Sequence, residues 1–444
     1  MSPSPIPNGQ RPGKIVTFYS YKGGTGRSMA LANVAWILAS NGKRVLAIDW
    51  DLEAPGLQRY FHPFLEDKEL VSTPGLIDFF LEFATAARQP RIDADERVPW
   101  HDPYTNLLRY AASLEWDFPD QGTLDFVASG QQGPGYAVNV NSFNWAEFYE
   151  KLGGGIFLET VKRRLRADYD YILIDSRTGI SDTSGICTVQ MPDELVVCFT
   201  LNQQSIQGAA AVTASVYAQR IKPAGEPGIL IWPVPMRVEM AEKDKLDLAR
   251  EFAHETFHRY LLHLPRYTRS YYWGRVEVLY QPYFAYEEVL ATFADRRRQS
   301  ASLLSSMETL TEYITGGDVR ELGPMPEDRR LAGLAEYSRT RKPPATKIFI
   351  SYRRSDANYV FRLFARLRLR FGSENVWVDD ELIPGSDWEE AVVEQVRLAG
   401  VVLVVIGPSW LWLGLADPGF GTAQCGGTFG HKLGRGCAAA HCRA

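Results

Sequence analysis

Residues 21–28, YKGGTGRS, constrain this chain more than any other stretch, because they lie between a buried-strand run (IVTFYS, 15–20) and a helical pattern over 29–40 that stops at Asn41-Gly42. A glycine-rich turn in that setting places successive backbone N–H groups and the positive end of a helix around an anion, which makes Gly23, Gly24 and Gly26 apt for cradling phosphate oxygens. The run RVLAID (44–49) completes a βαβ unit of ordinary length. Neither strand alternates polar and apolar residues, as expected of parallel strands covered on both faces.

Further apolar runs bounded by turn signals occur at 124–128, 171–175, 195–201 and 229–234, with helical patterns such as 156–166 and 205–220 between them. This succession predicts an α/β domain with a doubly wound, mostly parallel sheet over 14–315, behind a flexible Pro/Gly/Ser-containing start over 1–13. The segment 316–346 is polar, charged and proline-containing and reads as a linker with at most one short helix. A second α/β pattern opens at KIFISY (347–352), followed by a helical pattern over 359–370, a short strand at 376–378, a helix over 388–398 and the apolar run VVLVVIG, expected as a buried strand. From 414 onward the sequence turns to Gly, Ala, Cys and His without periodicity. Cys425, His431, Cys437, His441 and Cys442 there fit no zinc-finger spacing, and Cys187 and Cys198 read as buried core thiols.

The loop misses the strict GxxxxGK[ST] pattern twice, with Tyr21 at the first glycine and Arg27 at the lysine. KGGTGRS instead resembles the deviant phosphate loop of the MinD/ParA-type P-loop ATPases, in its arginine variant. The resemblance implies ATP and Mg²⁺ as cofactors, with Lys22, Gly23, Gly24, Thr25, Gly26, Arg27 and Ser28 around the phosphates. It gives Lys22 the part of a signature lysine reaching the phosphates of a partner copy in a nucleotide-bridged homodimer. It also makes Asp51, in AIDWDLEAPGL, a water-orienting switch aspartate, and Asp175, ending YDYILID, the Walker B aspartate. Ser28, Asp51 and Asp175 are thus the expected metal-site residues. Asn202 and Arg237 lie where relatives contact switch elements or the adenine base; as local structure they read equally as a turn-capping Asn and a solvated Arg. Arg27 keeps the positive charge of the usual lysine but presents a longer planar fork, which leaves hydrolysis open while favouring binding.

FISYRRSD (349–356), VDDELIPGSDW (378–388) and VVLVVIGPSW (401–410) resemble the first half of a Toll/interleukin-1 receptor (TIR) domain, a flavodoxin-like α/β fold that is incomplete here over 347–413. The resemblance implies an opening strand at the sheet centre. In members that split NAD⁺ it implies a catalytic glutamate, for which Glu390 is the match and Glu389 the neighbouring rival; a carboxylate there could stabilise an oxocarbenium-like sugar.

The formal charge of −5 provides no overall field to attract nucleic acid, and the few cysteines suit a reducing cytoplasm. The uncharged run 398–416 is interrupted by Gly407-Pro408 and is not expected to span a membrane. The sequence therefore reads as a cytoplasmic signalling or defence ATPase that assembles with itself and with other TIR or signalling proteins. Its rival is a non-hydrolysing, nucleotide-bound scaffold.

Overall fold

The computed structural model describes residues 12–89, 99–179, 185–221, 228–240, 243–339, 347–352, 356–372, 375–378, 396 and 399–406. The chain divides into two units, the first ending at Arg339.

The first unit is built on a seven-stranded sheet in the order β3-β4-β2-β5-β1-β6-β7. Its strands are β1 (Lys14–Ser20), β2 (Arg44–Asp49), β3 (Ala111–Ser113), β4 (Thr123–Val127), β5 (Tyr171–Asp175), β6 (Glu194–Phe199) and β7 (Leu230–Pro235). All pair in parallel except the short edge strand β3. Successive side chains alternate between two cores, as the pleat requires. Ile15, Leu46, Ile48, Ile172 and Ile174 enter one core; Val16, Phe18, Val45, Ala47 and Leu173 enter the other. Both faces are covered, which explains why the strands read as uninterrupted apolar runs.

The helix α1 (Arg27–Ala39) is buried on all sides, at Arg27 and at every position from Met29 to Ala39. It starts two residues before the expected helix because Gly26, at φ 93°, turns the chain directly into it. Trp36 anchors it in an aromatic cluster, with ring centroids 4.9 Å from Phe64, 5.0 Å from Phe118 and 4.9 Å from Phe293. Buried Asn33 donates to Met29 O at 2.9 Å and accepts from Ala291 N–H at 2.8 Å, tying α1 to a segment far along the chain.

Within the stretch expected to be a linker, the structure has a helix, Glu327–Arg339, that belongs to the first unit. Buried Tyr337 donates to Tyr60 O at 2.7 Å, and Arg330 donates to Phe293 O. The sequence allows at most one short helix here and does not disclose its length or packing, because its buried contacts come from a tyrosine, an arginine and a glycine on an otherwise polar segment.

The outer edge of the sheet is closed by its chemistry. Leu230 N–H and Met236 N–H both point to the β6 side, so alternation turns the nitrogens of Ile231, Pro233 and Pro235 outward, and two of these have no hydrogen. The carbonyls of Pro233 and Pro235 accept from Tyr272 Oη at 3.0 Å and Val278 N–H at 2.9 Å.

The second unit holds a three-stranded parallel sheet in the order β10-β8-β9, with β8 (Ile348–Ser351) central, β9 (Val376–Val378) and β10 (Val401–Val404). The helix Ala357–Phe371 accompanies it. Its core gathers Ile348, Ile350, Val360, Phe364, Val376 and Val378. The sequence expects β10 to be buried, and here the structure differs. Val401, Val402 and Val404 are 40, 42 and 53 % exposed; β10 pairs only with β8 among the described residues. The helix expected over 388–398, with Glu389 and Glu390, and the Cys/His tail lie outside the described residues. Among the described residues no helix is long and apolar enough to cross a membrane.

Candidate functional site

The carboxyl ends of β1, β2 and β5 open on one cavity of about 400 Å³ lined by Gly23, Gly24, Ser28, Asp51, Arg237 and Tyr280, among others. Ligands of doubly wound sheets bind at this end, where strand order reverses. The loop between β1 and α1 reaches the cavity through two left-handed glycines, Gly24 (φ 73°) and Gly26 (φ 93°), a conformation that side-chain-bearing residues adopt at a cost. A side chain at Gly23 or Gly24 would project into open space, which is the clearance a bound phosphate needs. Thr25 is buried, and its Oγ1 has no partner. Arg237 clamps the loop from outside the motif: its Nη1 donates to Gly24 O at 2.8 Å, and its guanidinium lies 4.9 Å from the Tyr280 ring centroid.

Tyr21, at the position of the missing first glycine, packs on the helix Gln203–Gln219. A Cβ placed on Gly208 would fall 2.1 Å from its ring. Lys22 hydrogen-bonds to Gln204 in the same helix. Asn202 caps that helix, accepting from Ser205 N–H at 3.0 Å, so its side chain is engaged as the local reading expects.

The acidic residues converge as their strand-end positions imply. Asp49, Asp51 and Asp175 are all buried. Asp49 accepts from the N–H groups of Asp51 (3.1 Å), Gly56 (3.2 Å) and Leu57 (3.1 Å), so it shapes the segment carrying Asp51. Burial first, and then the charge of Asp175, push the Asp49 carboxyl well above its usual range. Ser28 Oγ donates to Asp175 Oδ2 at 2.5 Å.

Arg27 turns toward these acids. Its Nε donates to Asp175 Oδ1 and its Nη2 to Asp51 Oδ2 at 3.0 Å, with the side chain only 6 % exposed. Burial opposes the guanidinium charge, but the carboxylates of Asp175 and Asp51 outweigh it and raise the Arg27 pKa. Its Nη1 is buried without a partner.

These residues fit a phosphate ligand, since the loop holds an open cradle together with buried, unpartnered polar atoms in Thr25 and Arg27. For a cation the donor set is chemically suitable but small. Among the described residues no group of three or more His, Cys, Asp or Glu side chains is arranged to hold an ion alone. A Mg²⁺ would rest on Ser28, Asp51, Asp175 and oxygens of the nucleotide, as this ion does when shared with phosphates.

Motif reasoning did not find Gln204, Gly208 or the cavity wall at Tyr280 and Phe284. Only the aromatic cluster in QPYFAYEE could have hinted at that wall.

A parallel sheet with a glycine loop feeding a buried helix and carboxylates at adjacent strand ends defines a P-loop nucleotide-binding protein. The chain belongs to the CobQ/CobB/MinD/ParA nucleotide-binding family, whose model matches residues 16–340, and residues 348–414 match the TIR domain model. Among curated proteins it is similar to the cytosolic Fe-S cluster assembly factor CFD1 of Yarrowia lipolytica, at 25 % identity over 45 % of this chain and 50 % of that protein. It is also similar to an ATP-binding protein of Methanocaldococcus jannaschii, at 27 % identity over 26 % of this chain and 42 % of that protein. The match thus spans half or less of these relatives. The septum site-determining protein MinD of Pyrococcus horikoshii, solved with Mg-ADP, aligns over 68 % of this chain and 96 % of its own, at 18 % identity and a TM-score of 0.43.

Proposed function

We propose that the first unit is a nucleotide-gated switch for the TIR module it carries. The observation that supports this reading is that the glycine loop, Ser28 and Asp51 line one cavity, with Asp175 buried behind them and hydrogen-bonded to Ser28, in a chain where such a unit is fused to a TIR domain. In this reading the loop N–H groups, Thr25 and Arg27 bind the phosphates of ATP, and Arg237 holds the loop in shape. Ser28, Asp51 and Asp175 would hold Mg²⁺, which when bound would neutralise charge on the β- and γ-phosphates. Asp51 orients the attacking water. Lys22 leaves Gln204 to reach the phosphates of a second copy, so that nucleotide binding pairs two chains and raises the effective concentration of their TIR modules. The output is TIR self-association in cytoplasmic signalling or defence, with NAD⁺ cleavage assigned to Glu390.

Single-turnover ATP hydrolysis combined with size analysis tests the switch. Lys22→Ala should abolish the nucleotide-dependent dimer, while Asp51→Ala should still bind ATP but lose about a hundredfold or more in turnover. Loss of NAD⁺ consumption in Glu390→Ala would check the output. A second reading, a non-hydrolysing scaffold, is favoured by the guanidinium of Arg27 on Asp51, which engages the water-orienting carboxylate. ATP binding without turnover and without a change of size in the unmodified chain would establish that reading instead.

A further inference from the structure

Arg27 makes two carboxylate contacts from one edge of a rigid planar group. One edge of its planar guanidinium, Nε and Nη2, is spent on Asp175 and Asp51. The opposite nitrogen, Nη1, points away from that edge, is buried and has no partner. Arg27 also lines the cavity that the glycine loop frames. A buried N–H left unpaired is unfavourable, and an incoming phosphate oxygen would satisfy it. Withdrawing the guanidinium from the acids would instead leave two buried carboxylates uncompensated, which is more costly still. The second oxygen of Asp175 already accepts from Ser28 at 2.5 Å, so the acidic pair is satisfied by the chain's own groups.

We propose that Arg27 stays on Asp51 and Asp175 when nucleotide enters and donates from Nη1 to a phosphate oxygen, so that nucleotide binding does not require a divalent cation. This rests on the reading of the cavity as the nucleotide site and deepens it. In the binding step the resident guanidinium stands between the carboxylates and the phosphate and supplies the donor, and the demand for Mg²⁺ is confined to turnover. A lysine ammonium gathers its three donors on one nitrogen at the end of a flexible stem, and lacks the fixed, opposed edges with which a guanidinium holds both carboxylates and still presents a donor on its far side.

The test is calorimetric titration of the full chain with ATP and with ADP, in excess Mg²⁺ and again in EDTA. The unmodified protein should keep its affinity within about threefold between the two conditions, whereas Arg27→Lys should lose about tenfold or more in EDTA. Thermal unfolding establishes that the variant folds; if it does not, the comparison on the unmodified protein decides alone. A loss beyond about threefold in the unmodified protein overturns the proposal while leaving the nucleotide site standing. A folded Arg27→Lys as indifferent to EDTA as its parent also overturns it. Absence of binding in both conditions overturns the nucleotide reading along with it.

Discussion

Replacing Asp49 by alanine would strip the acceptor from three backbone N–H groups at once, those of Asp51, Gly56 and Leu57. Each buried donor left unpaired costs about 1–3 kcal/mol, so Asp49→Ala should destabilise the first unit by roughly 3 kcal/mol or more in urea unfolding. Asp49→Asn keeps one acceptor oxygen and removes a charge that burial disfavours, so it should cost less than half as much. At this scale the sequence disclosed identity and position but not direction. Ser28, Asp51 and Asp175 could be placed together because strand ends and a helix start fix them relative to the sheet. The turn of Arg27 toward the acids could not, since a motif specifies which residue stands in the loop and leaves its rotamer to the surroundings. Gln204 and Gly208 were equally hidden, because their partners in the phosphate loop are remote in sequence.

Among the elements, the turn that begins at Asp67 is held by one carboxylate. It accepts from the N–H groups of Val71, Ser72 and Thr73 and from the hydroxyls of Ser72 and Thr73, at 2.7 to 3.2 Å. Desolvation works against the charge, and these hydrogen bonds outweigh it, lowering the pKa from 3.8 to about 2. A depressed carboxyl contributes stability that is present above its unfolded pKa and is lost as pH falls through the folded value. The turn should therefore hold at pH 4 and loosen towards pH 2. An NMR titration of the Asp67 carboxyl, with amide exchange at Ser72 and Thr73, would check this; a midpoint near 4 would contradict it. Strands were the elements most legible in advance, because a doubly covered parallel strand announces itself as a short apolar run: β5 and β9 fall where expected, and β4, β6 and β7 are displaced by a residue or two. The helix Glu327–Arg339 was not, because its value lies in a few contacts of Arg330, Gly333 and Tyr337 with the aromatic cluster, which no periodicity encodes.

For the whole molecule, the boundary after Arg339 carries its own prediction. A fragment ending at residue 339 should unfold in urea as a single unit and retain nucleotide binding. One ending at 315, where composition alone would cut the domain, loses Tyr337 from the cluster around Phe64 and Phe293. Removing a buried aromatic costs about 3–5 kcal/mol, so the shorter fragment should be less stable by at least that amount. The division into a nucleotide-binding unit and a TIR unit was legible from the polar stretch between two α/β patterns, but the residues that end the first unit were not. The sealed flank of β7 has a consequence for how such molecules can meet. Of the nitrogens it turns outward only Ile231 carries a hydrogen, and Tyr272 and Val278 have already claimed the carbonyls of Pro233 and Pro235. A neighbouring chain finds almost no template there for ribbon-to-ribbon growth, so this flank resists the runaway polymerisation that open strands invite and leaves other surfaces to decide when copies join.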